Sequence, residues 1–120
     1  MRKFLIVILF FTSIILAKDS TDVSFSKDVY PIIKKKCLVC HTADEENPSN
    51  YLMDSYGEII AGGKNGKAIK PEHSDKSNFI IKLLPNPPFG KQMPMLSKKK
   101  LSDSTIVILK NWINQGAKNN

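Results

Sequence analysis

The sequence predicts an all-α fold of about four short helices joined by long loops. Three observations lead there. Apolar residues recur at helical spacing in three windows, and a capped, glycine-ended stretch adds a fourth helix. No window alternates apolar and polar residues as a half-buried strand does. The connections are longer than an ordinary small domain tolerates, which calls for packing from a bound group.

The elements follow in order. Ser24 or Ser26 caps a first helix running to about Lys36, with Val29, Ile32 and Ile33 as its apolar stripe and Phe25 packed before it. Pro31 is tolerated only in a first turn, which moves the expected start towards Asp28. Lys34, Lys35 and Lys36 close it, where cations suit the helix dipole. Thr42 to Asn50 reads as a polar surface loop. Asp54 or Ser55 caps a short helix from Tyr56 to Ala61, ended by Gly62-Gly63. Ser74 or Asp75 starts a third helix to about Leu84, stopped by Pro85-Asn86-Pro87-Pro88. Phe89 to Lys100 is irregular. Ser102 caps the last helix, Asp103 to Gln115, with Ile106, Leu109 and Ile113 in one stripe, widened by Ile108 and Trp112. Gly116 closes it.

The chemistry concentrates in Cys37-Leu38-Val39-Cys40-His41. This is C-x-x-C-H, the attachment sequence of a c-type haem. Two thiols at this spacing can each add to one haem vinyl group, and the adjacent histidine supplies an axial ligand to the iron. These are the chain's two cysteines, so a disulfide framework and a four-cysteine metal site are both excluded. A thioredoxin-like redox pair would want a βαβ pattern, and none surrounds the motif. A zinc site would need two further ligands, but His41 and His73 are wrongly spaced to supply them.

The second axial position has four candidates: Met53, Met93, Met95 and His73. Met93 is favoured, because it stands in a proline-rich loop where Pro94 would keep its sulfur aimed. A thioether ligand also raises the reduction potential. Met53, beside a helix cap, reads better as core. Met95 is a second sulfur close by, and His73 lies in a polar helix start.

The N-terminus carries Arg2 and Lys3, then an apolar run from Phe4 to Leu16 ending at Ala17. Residues 1–17 therefore read as a secretory signal, or as an anchor if retained. Residues 18–24 read as a flexible leader and residues 25–118 as one domain. Loss of residues 1–17 lowers the net charge from +7 to +5, since Arg2 and Lys3 go and no acid does. That balance suits an acidic protein partner. The lysines are scattered, which excludes nucleic acid as the expected partner, and membrane association is expected only if the N-terminal segment stays.

Several further stretches resemble a known family. They are Phe25 to Ile33 before the motif, Leu52 to Tyr56, Ala61 to Lys64, Ala68 to Pro71, Lys76-Ser77, Gln92-Met93-Pro94, Leu101 to Asp103 and Trp112 to Ala117. With Cys37, Cys40 and His41, this ordered set is similar to class I c-type cytochromes, and closest to the short planctomycete-type cytochrome c domain. The resemblance implies a fold wrapped around one covalent haem, with first and last helices crossing near it. It implies Met93 as distal ligand and Trp112 in the interface of the terminal helices. Met95 departs from the pattern, since relatives often carry a second proline there. Relatives are also often fused to larger enzyme modules.

The expected function is a periplasmic single-haem electron carrier with His41 and Met93 as axial ligands, and not an enzyme. No side-chain constellation reads as a catalytic acid, base or nucleophile. A haem subunit of a periplasmic oxidoreductase, acting on peroxide or a sulfur compound, is the alternative if the distal ligand is labile. A haem-based sensor is the other.

Overall fold

Phe25 and Trp112 bring the two ends of the domain together. Both are apolar, and both are buried. In the computed structural model their ring centroids are 5.5 Å apart, and Tyr30 and Tyr56 pack on Phe25 at 5.4 and 5.2 Å. Aromatic contacts of this kind contribute about 0.5–1.5 kcal/mol each beyond their buried area. The structure describes residues 21–96 and 100–120. The expected signal at 1–17 lies outside them, as does the first part of the expected leader.

The architecture is all-α. Helix α1 is Tyr30–Lys36, α2 Tyr56–Ala61, α3 Asn78–Ile81 and α4 Asp103–Asn114. No strand occurs among the described residues beyond one isolated bridge between Gly63 and Gly66. The core gathers Val29 and Ile33 from the first helical segment, Ile59 from α2, Phe79 and Ile80 from α3, and Ile106, Leu109 and Ile113 from α4.

Three local expectations are corrected. The first helix begins earlier than Asp28. Ser24 caps a wide π turn, Phe25–Val29, by accepting the Lys27 N–H at 3.2 Å, and Asp28 returns a bond to the Ser24 N–H at 2.7 Å. The wide turn ends at Tyr30, whose N–H reaches Phe25 C=O, so α1 restarts with Pro31 in its first turn. A proline there breaks no bond.

The third helix is not continuous. It divides into a 3₁₀ turn, Ser74–Lys76, and α3, with Ser77 extended between them. The cause is the fully buried Ser77 hydroxyl, which donates to His73 C=O at 2.9 Å and accepts the Lys70 N–H at 2.9 Å. A serine bonded back to the preceding backbone competes with helix formation. Tighter i to i−3 bonds then carry the chain to Leu84. On α4 the stripe is Ile106, Leu109, Trp112 and Ile113, while Ile108 is exposed and does not widen it.

The remaining elements are placed as expected. Ser55, not Asp54, caps α2 by accepting the Glu58 N–H at 3.3 Å. Ser102 caps α4 through the Thr105 N–H at 3.3 Å. Within the expected leader, the Val23 N–H donates to Gln115 Oε1 at 2.8 Å. Asn120 accepts the Phe25 N–H on Oδ1 at 2.8 Å and the Ser26 N–H on its carbonyl at 3.0 Å.

After α2 the chain doubles back against an earlier segment. Gly62 takes φ +81, and a Cβ on Gly63 would lie 2.5 Å from the Ser49 carbonyl oxygen and 2.9 Å from Tyr51 Cα. The Lys64 N–H donates to the same Ser49 carbonyl at 2.7 Å. Glycine is therefore required at residue 63 by close backbone approach. Gly57, in the first turn of α2, has its nearest neighbour 3.9 Å from a Cβ. Gly63→Ala is expected to cost about 1–3 kcal/mol through overpacking. Gly57→Ala is expected to gain up to about 1 kcal/mol from helix propensity. Thermal melts followed by circular dichroism should move in opposite directions for the two variants.

Candidate functional site

The motif begins where α1 ends. The Cys37 N–H still donates to Ile33 C=O at 2.8 Å, and its own carbonyl then accepts the N–H groups of Cys40 at 3.1 Å and His41 at 3.0 Å. One carbonyl thus folds the five residues into a tight turn. Cys37 is half-buried, Cys40 is exposed, and both thiols are free. Burial pushes the Cys37 thiol up to about 11.

His41 is held on two sides. Its carbonyl accepts the Met53 N–H at 2.8 Å. Its Nδ1 lies 2.7 Å from the Tyr51 carbonyl oxygen. A carbonyl can only accept, so Nδ1 carries the proton and Nε2 of the neutral ring keeps its lone pair. That is the tautomer a metal ligand needs, oriented by a backbone acceptor. Tyr51 is fixed in turn: its hydroxyl donates to Ile59 C=O at 2.7 Å. Burial, and secondarily the nearby Cys37, pushes the Tyr51 phenol well above its usual value.

A cavity of about 620 Å³ opens beside the motif, within the roughly 300–1,000 Å³ usual for ligand sites. Cys37, Cys40, His41 and Met93 all line it, so the structure brings the four expected site residues together. Met53 and Met95 line it too. They differ in setting: Met53 is buried in the core, Met93 is half-buried, and Met95 is 60% exposed. His73 is exposed and stands outside the cavity wall. Charge in the wall is unbalanced, with Lys36, Lys64, Lys67, Lys82 and Lys91 against Glu46.

The Met93 loop is fastened by its backbone. The Met93 N–H donates to Lys82 C=O, at the end of α3, at 2.7 Å. Gln92 Nε2 donates to Leu83 C=O at 2.8 Å, and Lys100 Nζ donates to the carbonyls of Gln92 and Pro94. The sequence pointed to Pro94 as the stiffening element; the hydrogen bonds add four further constraints around it.

Asn47 and Ser49 are not legible as site residues in a loop that reads as surface. Asn47 Nδ2 donates to the Tyr51 carbonyl at 2.8 Å, and Ser49 Oγ donates to Asn47 Oδ1 at 2.7 Å. The available signal was the Asn-Pro-Ser triplet itself, since Asn and Ser in turns bond to nearby backbone.

Residues 37–94 match the family model of Planctomycete cytochrome C. The match supports a cytochrome c-type domain in this segment. No curated protein and no solved structure matches the chain significantly. The family match suggests a haem-binding electron-transfer protein and haem c as its group. The donor set fits that group. Two thiols, a histidine with its Nε2 lone pair free and a thioether share one cavity wall. Among the described residues, no three His, Cys, Asp or Glu side chains gather into a metal site of another kind.

The two thiols should differ in reactivity before any group is attached. With its pKa near 11, Cys37 is about one-thousandth thiolate at pH 8. Iodoacetamide at that pH is expected to label exposed Cys40 well before Cys37, and raising the pH towards 11 should close the gap. Peptide mapping by mass spectrometry after short exposures reads the order.

Proposed function

We propose that this chain is a single-haem c-type cytochrome carrying electrons in the periplasm, with His41 and Met93 as axial ligands. The observation that supports it most is the joint placement of Cys37, Cys40, His41 and Met93 on one cavity wall. The bound haem supplies an iron that cycles between Fe(III) and Fe(II) by one electron.

Each residue has its part. Cys37 and Cys40 would hold the group through thioethers. His41 would present Nε2 to the iron, with its Nδ1–H donated to the Tyr51 carbonyl. Met93 presents a neutral, soft sulfur that favours the reduced state. With His41 and Met93 both holding the iron, the group would offer no open coordination site to a substrate, which suits a carrier and not an enzyme. The apolar side chains of the cavity wall, Ile33, Met53, Phe79, Leu83 and Leu109 among them, would surround the bound group with low dielectric and disfavour the more charged Fe(III) state. The five lysines in the wall suit a redox partner with an acidic docking face, whose approach weakens as salt screens the attraction. The signal-like sequence of residues 1–17 supports the periplasmic assignment, because c-type haem is attached outside the cytoplasm.

The test is an absorption spectrum of wild type and Met93→Ala, each exported from a host with haem-attachment machinery. Wild type is expected to give a c-type spectrum with the weak far-red sulfur-to-iron band and little carbon monoxide binding when reduced. Met93→Ala should lose the band, bind carbon monoxide readily and have a lower midpoint potential. Survival of the band in the variant would transfer the ligand role to Met95 or Met53. Absence of covalent haem in wild type would defeat the proposal.

A further inference from the structure

The Tyr51 carbonyl oxygen receives two donors. One is His41 Nδ1–H at 2.7 Å and the other is Asn47 Nδ2–H at 2.8 Å. The direction of the Asn47 amide is fixed. Its other end, Oδ1, accepts the Ser49 hydroxyl at 2.7 Å, and turning the amide over would set an oxygen against the Tyr51 carbonyl oxygen. Asn47 Nδ2 also lies 3.1 Å from His41 Nδ1. Both atoms carry protons, so this is a contact between two donors that share an acceptor.

We infer that Asn47 is a positioning residue that weakens the His41–Tyr51 hydrogen bond and thereby raises the reduction potential of the site. The inference rests on the proposed His41 ligation. A carbonyl oxygen has two lone pairs and can serve both donors, but each donor draws density from the oxygen and leaves less for the other. Ser49 strengthens the competitor: by donating to Oδ1 it polarises the amide and makes Nδ2–H a better donor. A weaker bond from Nδ1–H leaves the imidazole less basic, because the second partner of a ligating histidine sets its basicity. A less basic ligand supports Fe(III) less well. The positive amide hydrogens beside Nδ1 act in the same direction, since an Fe(III) ligand carries more positive charge on its ring. No such role is visible in a lone Asn within a polar loop; it comes from the shared acceptor.

The experiment is potentiometric titration of the exported holoprotein, comparing wild type, Asn47→Leu and Ser49→Ala. Leucine keeps the number and branching of asparagine's side-chain heavy atoms and carries no donor. Asn47→Leu is expected to shift the Fe(III)/Fe(II) equilibrium about tenfold towards Fe(III), a fall of ~59 mV for one electron. Ser49→Ala should shift it the same way by less. In nuclear magnetic resonance spectra of the reduced protein, the His41 ring N–H should exchange more slowly in Asn47→Leu than in wild type. A potential at or above wild type in Asn47→Leu, with the far-red band intact, would overturn the inference. Should that variant fail to mature, an unchanged potential in Ser49→Ala would overturn it. A wild-type protein with no c-type spectrum would instead sink the function on which the inference rests, so the two failures are distinguishable.

Discussion

Between His41 Nδ1 and the Tyr51 carbonyl lies a 2.7 Å hydrogen bond, and much of the surrounding chain holds its two ends. The histidine end is set by α1 through the Cys37 carbonyl, which gathers Cys40 and His41 into one turn. The tyrosine end is set by α2. The Tyr51 hydroxyl is bonded to Ile59, and the Gly62-Gly63 turn presses directly against Ser49 and Tyr51. A short helix of six residues, too short to stand alone in water, thus earns its place by fixing an acceptor. Its capping Ser55 and closing glycines are local conditions for a distant tautomer.

The other end of the molecule solves a different problem. Small domains bury a limited core, and here Phe25, Tyr30, Tyr56 and Trp112 concentrate aromatic area where the first turn meets α4. The polar edges of that cluster are satisfied by backbone: Trp112 Nε1 donates to Lys118 C=O and the Tyr56 hydroxyl to Ala117 C=O. None of these aromatic rings lines the cavity. The aromatic cluster and the cavity therefore occupy separate regions, while core residues Ile33, Met53, Phe79, Leu83 and Leu109 form part of the cavity wall.

What the sequence made legible follows from the range of each signal. Helices α2 and α4 each carry a cap and a closing glycine, and α4 a clear stripe, all local, and both lie within a residue of their expected limits. The third helix failed because Ser77 could not be known to turn its hydroxyl back on His73 and Lys70. The first failed at its start because the wide turn before Pro31 is a compromise between a cap and a proline. Cys37, Cys40 and His41 were legible because their spacing is itself chemical. Asn47 and Tyr51 were not, because they act through backbone carbonyls brought together by loops, and such contacts leave no period. Met93 was favoured from sequence over Met53, Met95 and His73; exposure and burial separate their surroundings in the fold.

The backbone bonds around Met93 bear on speed as well as on affinity. Its N–H is tied to the end of α3, and its neighbours are tied to Leu83 and Lys100. The sulfur is thus carried by a segment whose ordering cost is met by the protein itself. On the carrier reading, the same bonds keep the donor atoms from relaxing far when the charge at the iron changes. Little nuclear rearrangement would then accompany each electron, and the activation barrier to self-exchange would stay low in either direction.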